Sequence, residues 1–459
     1  MLSRLLQPEI KSLIEERKLS ILKEILQDWT PADIAELLID LDEKERVIIF
    51  RLLHTELAAD TFEYLDFDTQ MDLLKAMGNE EVAAILNEMD PDDRTALFEE
   101  LPASATKQLI QLLSPEERRL AVTLLGYPEN SVGRLMTPDY IAVKPDWTIQ
   151  QTLNYIRENG KNKETLNILY VVDDKGKLID DIKIRDILLA PLDSRISDLM
   201  DENYVALNVY DDQEKAVEMF RKYDRVALPV VDHSGNLIGI VTFDDVMDVA
   251  VEETTEDIQK QAAVEVLDEP YPTIPILKMI KKRAGWLSIL FIGEMFTASA
   301  MAVFEKEIER AVVLALFVPL IISSGGNSGS QAATLVVRAM ALGEVTIKDW
   351  FLVIKRELLT GLTLGLILAT IGFIRIYVWQ MASHIYGEHW FFVAITVSIS
   401  LIGVVLWGTI TGSTLPFILK RLGFDPASSS APFVATLVDV TGIVIYFTAA
   451  MFILGGKLL

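Results

Sequence analysis

Apolar residues between Trp29 and about Leu125 recur at the spacing of an amphipathic helix, and the pattern repeats every 24 residues. Each unit starts with an acidic or polar cap, continues with apolar residues at helical spacing, and ends in a short break. This arrangement predicts pairs of short helices stacked into a helical solenoid. The repeat is marked by the segments LDEKER, LDFDTQ, MDPDDR and LSPEER, which begin at Leu41, Leu65, Met89 and Leu113.

From about residue 131 the pattern changes, because β-branched runs now alternate with helical segments, and the new pattern occurs twice. RLMTPDYIAV at Arg134 parallels DLMDENYVAL at Asp198, at an offset of 64 residues, and LYVVDDKGKLID at Leu169 parallels LPVVDHSGNLIG at Leu228. Each half predicts a helix between a short strand and a VVD-turn-strand hairpin, with a final helix after it. Two α/β domains are therefore predicted, over residues 131–197 and 198–250.

The chain is strongly hydrophobic from Gly285 onward and predicts five helices of bilayer-crossing length. Basic residues cluster before the first span (278–283), between the second and third (348–356) and between the fourth and fifth (420–421). All these clusters fall on one side, which the positive-inside rule makes cytoplasmic, with the C-terminus outside. The spans are predicted at residues 285–304, 311–337, 358–380, 390–419 and 431–454.

The predicted fold class is therefore a multidomain membrane protein. An all-α helical-repeat N domain (1–130) precedes the tandem α/β pair (131–250), an acidic linker helix (251–275) and a five-helix α transmembrane domain (276–459). The N-terminus lacks a long apolar core and is dense in charge, so no cleavable signal peptide is expected. We expect the N-terminal domains to remain in the cytoplasm and the protein to be multi-pass in the cell (inner) membrane.

The net charge of −25 is unevenly distributed. Residues 1–270 contain 57 acidic and 28 basic side chains, a net of −29, whereas residues 271–459 carry a net of +4. Such an acidic front half repels nucleic acid and attracts cations. The chain has no cysteine, which excludes disulfides and thiolate metal sites.

Catalytic signatures are missing from the sequence. The four histidines are scattered and no nucleophile–base pair is recognisable. The glycine-rich segment from Ser323 superficially resembles a phosphate-cradling loop, but it lacks the Lys-Ser/Thr ending of that motif. We therefore do not expect an enzyme.

The fifth predicted span contains one acidic residue near its middle, Asp439. A carboxylate inside a membrane is costly unless it faces protein, water or a cation, so it is a candidate functional site. The small and polar neighbours Thr436, Thr441 and Gly442 would suit the border of a pore; the alternative is an acid hydrogen-bonded to a neighbouring helix. Glu294 in the first span is a second buried-acid candidate, to which the sequence assigns no central role.

The second predicted span is interrupted by Pro319 and by the stretch SSGGNSGSQ that ends at Gln331. We expect irregular backbone here, which is tolerated at membrane depth only inside protein or beside a water-filled cavity. Two interpretations remain open. Asn327 and Gln331 would line a pore, or the glycines would allow close packing of helices.

The end of the α/β pair and the linker that follows it are crowded with acids, seven of them within fourteen residues. Carboxylates three or four residues apart share one helix face and repel each other unless they are neutralised. Hard divalent cations prefer such oxygen ligands; the alternative is a solvated acidic helix. These acids are Asp244, Asp245, Asp248, Glu252, Glu253, Glu256 and Asp257.

The α/β pair resembles tandem CBS domains, with the strand-to-helix signature at Gly239 to Asp245. The order of acidic repeats, CBS pair, acidic linker and five spans resembles the MgtE family of magnesium transporters and channels over essentially the whole chain. The GGNSGSQAATL stretch and GFDPASSSAPFVATLVDVTG from Gly423 are its most specific membrane motifs. The resemblance implies a homodimer in the lipid bilayer with its pore on the dimer axis, lined mainly by the second and fifth spans.

The resemblance also implies Mg²⁺ sites. It places the pore acid at Asp439, with backbone carbonyls near Ala435, and an acid of the cytoplasmic mouth at Asp425. In the repeat domain, the second CBS domain and the linker it implies ligands at Asp60, Asp92, Asp212, Glu214, Asp224, Asp245, Asp248, Glu253, Glu256 and Asp257.

Some positions depart from the family pattern. Ala96 replaces an expected acid, and Ser330 replaces an expected amide. Asp180 and Lys183 interrupt the signature in the first CBS domain, which weighs against nucleotide binding by the CBS pair. Ile168 and Arg225 stand where aromatic contacts to adenine would be, and they weigh against it further.

The expected function is Mg²⁺ uptake through a magnesium-selective channel driven by the membrane potential. Cytosolic Mg²⁺ bound to the N domain, the CBS pair and the linker would gate the channel. Two alternatives remain: a divalent cation exchanger coupled to H⁺ or Na⁺, and a membrane-anchored Mg²⁺ sensor.

Overall fold

A computed structural model describes residues 2–267, 271–272 and 274–455. The chain forms two compact units, Met1–Ala250 and Val251–Leu459. The first unit contains helices α1 (Leu2–Glu15), α2 (Leu19–Leu26), α3 (Pro31–Ile39), α4 (Glu43–Phe50), α5 (Thr55–Glu63), α6 (Phe67–Ala76), α7 (Asn79–Glu88), α8 (Pro91–Glu100), α9 (Ala103–Ile110), α10 (Pro115–Leu124), α11 (Val132–Leu135), α12 (Ile149–Asn159), α13 (Ile184–Leu189) and α14 (Gln213–Tyr223).

The same unit contains six strands, and α15 runs from it into the second unit. The strands are β1 (Ala142–Val143), β2 (Ile168–Val172), β3 (Leu178–Lys183), β4 (Leu207–Asn208), β5 (Ala227–Val231) and β6 (Leu237–Thr242). The remaining helices are α15 (Phe243–Gln261), α16 (Ile276–Val303), α17 (Glu305–Arg310), α18 (Val312–Ala315), α19 (Val318–Ala341), α20 (Trp350–Ser383), α21 (Trp390–Arg421) and α22 (Ala431–Leu454).

The helical repeat has the predicted interval. Helices α3, α5, α7 and α9 begin at residues 31, 55, 79 and 103, and α4, α6, α8 and α10 begin at 43, 67, 91 and 115. Polar caps fix several of these starts, because a side-chain oxygen accepts a hydrogen bond from an otherwise unpaired helix N–H. Asp42, for example, accepts from the Glu45 N–H over 2.9 Å, and Glu45 returns a capping bond to the Asp42 N–H. Apolar side chains of successive repeats share one core.

The α/β region contains two matching three-stranded sheets. In each sheet the short first strand is parallel to the second, and the second is antiparallel to the third. The crossover between the parallel strands contains α12 in the first half and α14 in the second. All five residues of β2 are buried, as expected of a central strand covered on both faces.

Five stretches of the described chain are long and apolar enough to cross a membrane. They are Ile276–Val303, Val312–Ala341, Ile347–Ser383, Trp390–Arg421 and Ala431–Leu454. The fold class predicted from sequence is therefore confirmed. The predicted linker extends beyond α15, and part of it, residues 268–270 and 273, lies outside the described residues. The same is true of residue 1 in the predicted N domain and of residues 456–459 in the predicted transmembrane domain.

The expectation of irregular backbone after Ser323 is wrong. The glycine-rich stretch is helical throughout α19, and the interruption lies before it, between α18 and α19, with Pro319 in the first turn of the new helix. Proline is tolerated there because the first N–H groups of a helix have no intrahelical partner. The glycine face of α19 is buried against α21 and α22, and the Ser324 hydroxyl donates to the Leu320 carbonyl one turn earlier.

Candidate functional site

Asp439 lies in the third turn of α22 and is half-buried. The start of this helix is fixed by Ser430, whose side chain accepts a hydrogen bond from the Phe433 N–H over 3.3 Å. Asp439 lines a cavity of about 420 Å³ between α16, α19 and α22. The other polar side chains of this cavity belong to Glu294, Thr297, Ser323 and Asn327.

Gly326 keeps this cavity open. A Cβ atom at this position would lie 3.3 Å from the Ala435 Cβ and 3.7 Å from the Asp439 Oδ1. Ala435 itself lines the cavity, one turn before Asp439. A larger side chain at position 326 would therefore occupy the space beside the carboxylate.

Helix α19 presents two different faces. Gly325 and Gly329 are buried against α21, where Cβ atoms added to Gly408 and Gly412 would meet their carbonyl oxygens. Asn327 and Gln331 are one turn apart on the exposed side of the helix. Close glycine packing is therefore present, and it turns both amides away from α21; of the two, Asn327 lines the cavity with Asp439, and Gln331 does not.

Glu294 is the cavity residue whose importance the sequence pattern did not reveal. Its carboxyl group lies within hydrogen-bonding reach of the Asp439 carboxyl group. The available signal was the same as for Asp439, namely an acid inside a membrane span. Spacing along the chain could not show that these two acids, 145 residues apart, meet.

The linker and the predicted cytoplasmic mouth meet within the second unit. The Lys260 ammonium donates to the Asp425 Oδ2 over 2.6 Å and forms an ion pair with Glu256 one turn earlier on α15. Asp425 also caps the short turn after it, accepting from the Ala427 N–H over 2.8 Å. Burial, followed by the charge of Asp425, raises the pKa of Asp257 to about 6. Glu253 lies one turn before Asp257 on the same helix.

In the first unit, Asp92 of α8 lies near Asp245 of α15. Asp92 is only 7% exposed, and its Oδ1 has no hydrogen-bond partner among the described residues. Burial, followed by the charge of Asp245, raises its pKa. Burial also raises the pKa of Asp245 to about 6, although the Thr242 hydroxyl donates to its Oδ2. Asp248, one turn further along, has a pKa raised by partial desolvation and by Asp244.

Sequence reasoning missed a second group of acids beside Asp92. Glu63, Asp90 and Asp93 each place a carboxylate oxygen within 4.8 Å of the others. Burial raises the pKa of Glu63 to about 8 and that of Asp93 to about 7, and nearby acids add to both shifts. Glu164 has a pKa of about 8 for the same reasons. The sequence does not show that these acids lie together, because they come from different repeats and from the first CBS domain.

Asp60 is exposed and lines a polar cleft of about 510 Å³ together with Asp90 and Glu164. Desolvation, followed by the charge of Glu56, raises its pKa. Lys161 also lines this cleft. The cleft is therefore a mixed but mainly acidic surface, which suits a hydrated cation.

Asp212, Glu214 and Asp224 are not brought to one place. Asp212 caps the start of α14 by accepting from the Glu214 N–H over 2.9 Å, whereas Asp224 ends the helix in a left-handed conformation with φ 48°. The 11 residues of α14 separate the two ends by roughly 16 Å. Within one chain they cannot share an ion.

The first CBS domain uses its unusual residues for structure. Asp180 is fully buried, and its carboxylate accepts from the N–H groups of Asp181, Asp201 and Glu202 over 2.8–3.0 Å. Arg225 of the second domain donates to the Asp181 Oδ2 over 2.9 Å. Asp180 and Arg225, two of the departures from the family pattern, therefore have partners inside the protein.

Three family models match the chain in order. A model described as the MgtE intracellular N domain matches residues 29–130, a CBS domain model matches 132–193 and 196–252, and a model described as a divalent cation transporter matches 318–449. Together with five membrane-capable helices, they define the class of the protein: a membrane transporter of divalent cations that carries a CBS pair.

The magnesium transporter MgtE of Thermus thermophilus is 35% identical over 449 residues, covering 97% of this chain and 98% of that protein. The MgtE of Bacillus subtilis is 28% identical and covers 95% of each chain. The chain belongs to the MgtE family of magnesium transporters. Its function is therefore transport of Mg²⁺ and not catalysis.

Two solved structures resemble about half of the chain. One is the cytosolic domain of the Mg²⁺ channel MgtE in complex with ATP, with 32% identity and a TM-score of 0.51 over 53% of this chain and 99% of that one. The other is the soluble part of a magnesium transporter, with 28% identity and a TM-score of 0.52 over 55% and 99%.

Proposed function

We propose that this protein is a magnesium-selective channel that takes up Mg²⁺ down the membrane potential. The observation that supports it most directly is the cavity in which Asp439, Asn327 and Ser323 face one another at the level of the membrane helices. Mg²⁺ holds its waters tightly, so a channel would bind the hydrated ion through outer-sphere oxygen contacts. Asp439 and the carbonyls near Ala435 supply such oxygens.

The membrane potential is a sufficient driving force. It contributes about 2.3 kcal/mol per charge per 100 mV, and a divalent cation gains about twice that. The basic clusters flanking the spans support a cytoplasmic location of the first unit under the positive-inside rule. We propose the cell (inner) membrane as the location and a homodimer, with α19 and α22 lining the pore, as the assembly.

Cytosolic Mg²⁺ would close the channel. Asp92, Asp245, Asp248 and the acids of α15 repel one another when no cation is bound, and cations between them would favour a compact, closed form. This is a population shift, because Mg²⁺ binds the compact form better than the loose one. The related cytosolic domain solved with ATP suggests nucleotide as a further ligand; the Arg225–Asp181 pair argues for weak nucleotide binding here.

Magnesium uptake into proteoliposomes under an imposed potential tests the transport mechanism, with Asp439→Ala beside the wild type. We expect potential-driven uptake without a counter-ion gradient in the wild type and its loss in the variant. Uptake that requires a proton or sodium gradient would instead support the exchanger. The carboxyl contact between Glu294 and Asp439 is the observation that favours this rival, because paired acids also serve proton-coupled transporters. An absence of flux under both conditions would support the anchored sensor.

A further inference from the structure

Glu294 and Asp439 belong to different helices and line one cavity. Glu294 lies two-thirds of the way along α16, and Asp439 lies in the third turn of α22. Their carboxyl groups are within hydrogen-bonding reach of each other. The sequence pattern and the family resemblance give a role to Asp439 and no central role to Glu294.

Gly293 explains why the two acids meet. A Cβ atom on Gly293 would lie 2.5 Å from the Thr436 Cγ2, so α16 can approach α22 at this point only because residue 293 has no side chain. The next residue along α16 is Glu294, and the residue three positions after Thr436 is Asp439. The close approach of α16 to the Thr436 side chain therefore sets the two carboxyl groups side by side.

The surroundings of Glu294 offer oxygen ligands and no positive charge. The described residues that line the cavity include no lysine, arginine or histidine. Thr297, one turn after Glu294, lines the same cavity, and its Oγ1 is shielded from solvent without a hydrogen-bond partner among the described residues. A pair of acids inside a membrane is costly unless a cation or water compensates it.

We propose that Glu294 is a second cation-attracting carboxylate of the permeation site, acting with Asp439 on a hydrated divalent cation. The proposal rests on the proposed transport function and adds a residue from the first span to it. Two carboxylates hold a divalent ion more strongly than one, since each charge adds its own Coulomb attraction. The charge of Glu294 sets the Mg²⁺ concentration at which the site is half occupied. Asp439 is needed for Mg²⁺ to pass through the channel at all.

The experiment is potential-driven Mg²⁺ uptake by the full chain in proteoliposomes, measured as a function of external Mg²⁺. We expect Glu294→Gln to raise the half-saturating Mg²⁺ concentration about tenfold while keeping most of the maximal rate. Glu294→Asp keeps the charge and should restore much of the affinity. Asp439→Asn should lose uptake at every concentration.

Glu357→Gln is the matched control, because Glu357 is another glutamate on a membrane helix and does not line the cavity. It should leave the half-saturating concentration unchanged. An unaltered half-saturating concentration in Glu294→Gln would overturn the proposal. This holds even if the maximal rate and the thermal stability of the variant fall. If Glu294→Gln does not fold, Gly293→Ala decides, since its methyl group would meet Thr436, displace the Glu294 carboxylate and raise the half-saturating concentration.

The two proposals fail in different ways. If the wild type shows no potential-driven uptake, the channel function is wrong. If the wild type conducts and Asp439→Asn does not, but Glu294→Gln behaves like the wild type, only the role of Glu294 is wrong.

Discussion

The carbonyl oxygen of Gly329 lies 2.0 Å from the point that a Cβ atom on Gly412 would occupy. One turn earlier, the Gly325 carbonyl lies 2.3 Å from the corresponding point on Gly408. Between these contacts the Ser328 and Thr409 hydroxyls are hydrogen-bonded over 2.9 Å. Helices α19 and α21 are therefore in backbone contact over two turns, which fixes the orientation of Asn327.

Gly412→Ala should separate these helices, because the new methyl group meets rigid backbone. Overpacking of this kind costs about 1–3 kcal/mol. We expect a lower unfolding temperature of the full protein in detergent and a reduced rate of Mg²⁺ uptake. Gly403→Ala is the control, since its Cβ would meet only the Ile445 side chain at 3.2 Å. Equal behaviour of the two variants would contradict the packing argument.

Asp245→Asn and Asp248→Asn should raise the cytosolic Mg²⁺ needed for closure. Each removes a charge that a cation would neutralise near Asp92, while the membrane cavity stays intact. The measurement is uptake against internal Mg²⁺, and we expect a shift of several-fold to higher concentration. Asp174→Asn removes an exposed acid of the first CBS domain and should shift nothing. Wild-type closure in both variants would exclude these two residues from sensing.

Stability of the protein without divalent cations should fall as the pH rises. The pKa of Glu63 is raised from 4.5 to about 8, and that of Asp93 from 3.8 to about 7. Between the unfolded and folded pKa values of these two groups, the folded state binds more protons than the unfolded chain. The contribution of the two groups to the free energy of unfolding is therefore greatest at low pH and declines as the pH approaches 8. Thermal unfolding in EDTA between pH 5 and 8 checks this. Added Mg²⁺ should remove most of the decline, and Glu63→Gln should weaken it.

Lys260→Met should make closure depend more strongly on Mg²⁺. The ammonium of Lys260 neutralises Asp425 and Glu256, and its removal leaves these carboxylates to repel each other. We expect uptake at low internal Mg²⁺ to rise a few-fold and to return to normal at high Mg²⁺. Lys215→Met removes a comparable ion pair with Asp211 on α14 and serves as the control. An unchanged response to Mg²⁺ in Lys260→Met would rule out this role.

ATP should bind the CBS pair weakly. Arg225 is paired with Asp181 at a position where the family resemblance implies an aromatic contact to adenine. We expect calorimetric titration of the full protein to give a dissociation constant in the millimolar range, and Arg225→Phe to tighten it. Tight binding by the wild type, unaffected by the substitution, would show that the ion pair does not govern the site.

Much of the fold follows from local patterns. Helix α22 spans Ala431–Leu454, as predicted, because its cap at Ser430 and its apolar length are local features. The 24-residue interval is likewise visible in the sequence. The course of α19 was not predictable, because the environment of Gly325 and Gly329 is supplied by α21, far along the chain. The same reason hid the contact of Glu294 with Asp439 and that of Glu63 with Asp93.

The equal spacing of the helix starts also bears on how such a protein can change length. If 24 residues were duplicated or lost, each later helix would still pack against a helix from the equivalent position of the repeat. An insertion or deletion of another length would bring apolar faces against polar ones. The amino-terminal region is thus made of interchangeable parts. Descendants of this gene could lengthen or shorten this region in whole repeats and so reposition its acidic residues, while the CBS pair and the membrane helices keep their own sequences.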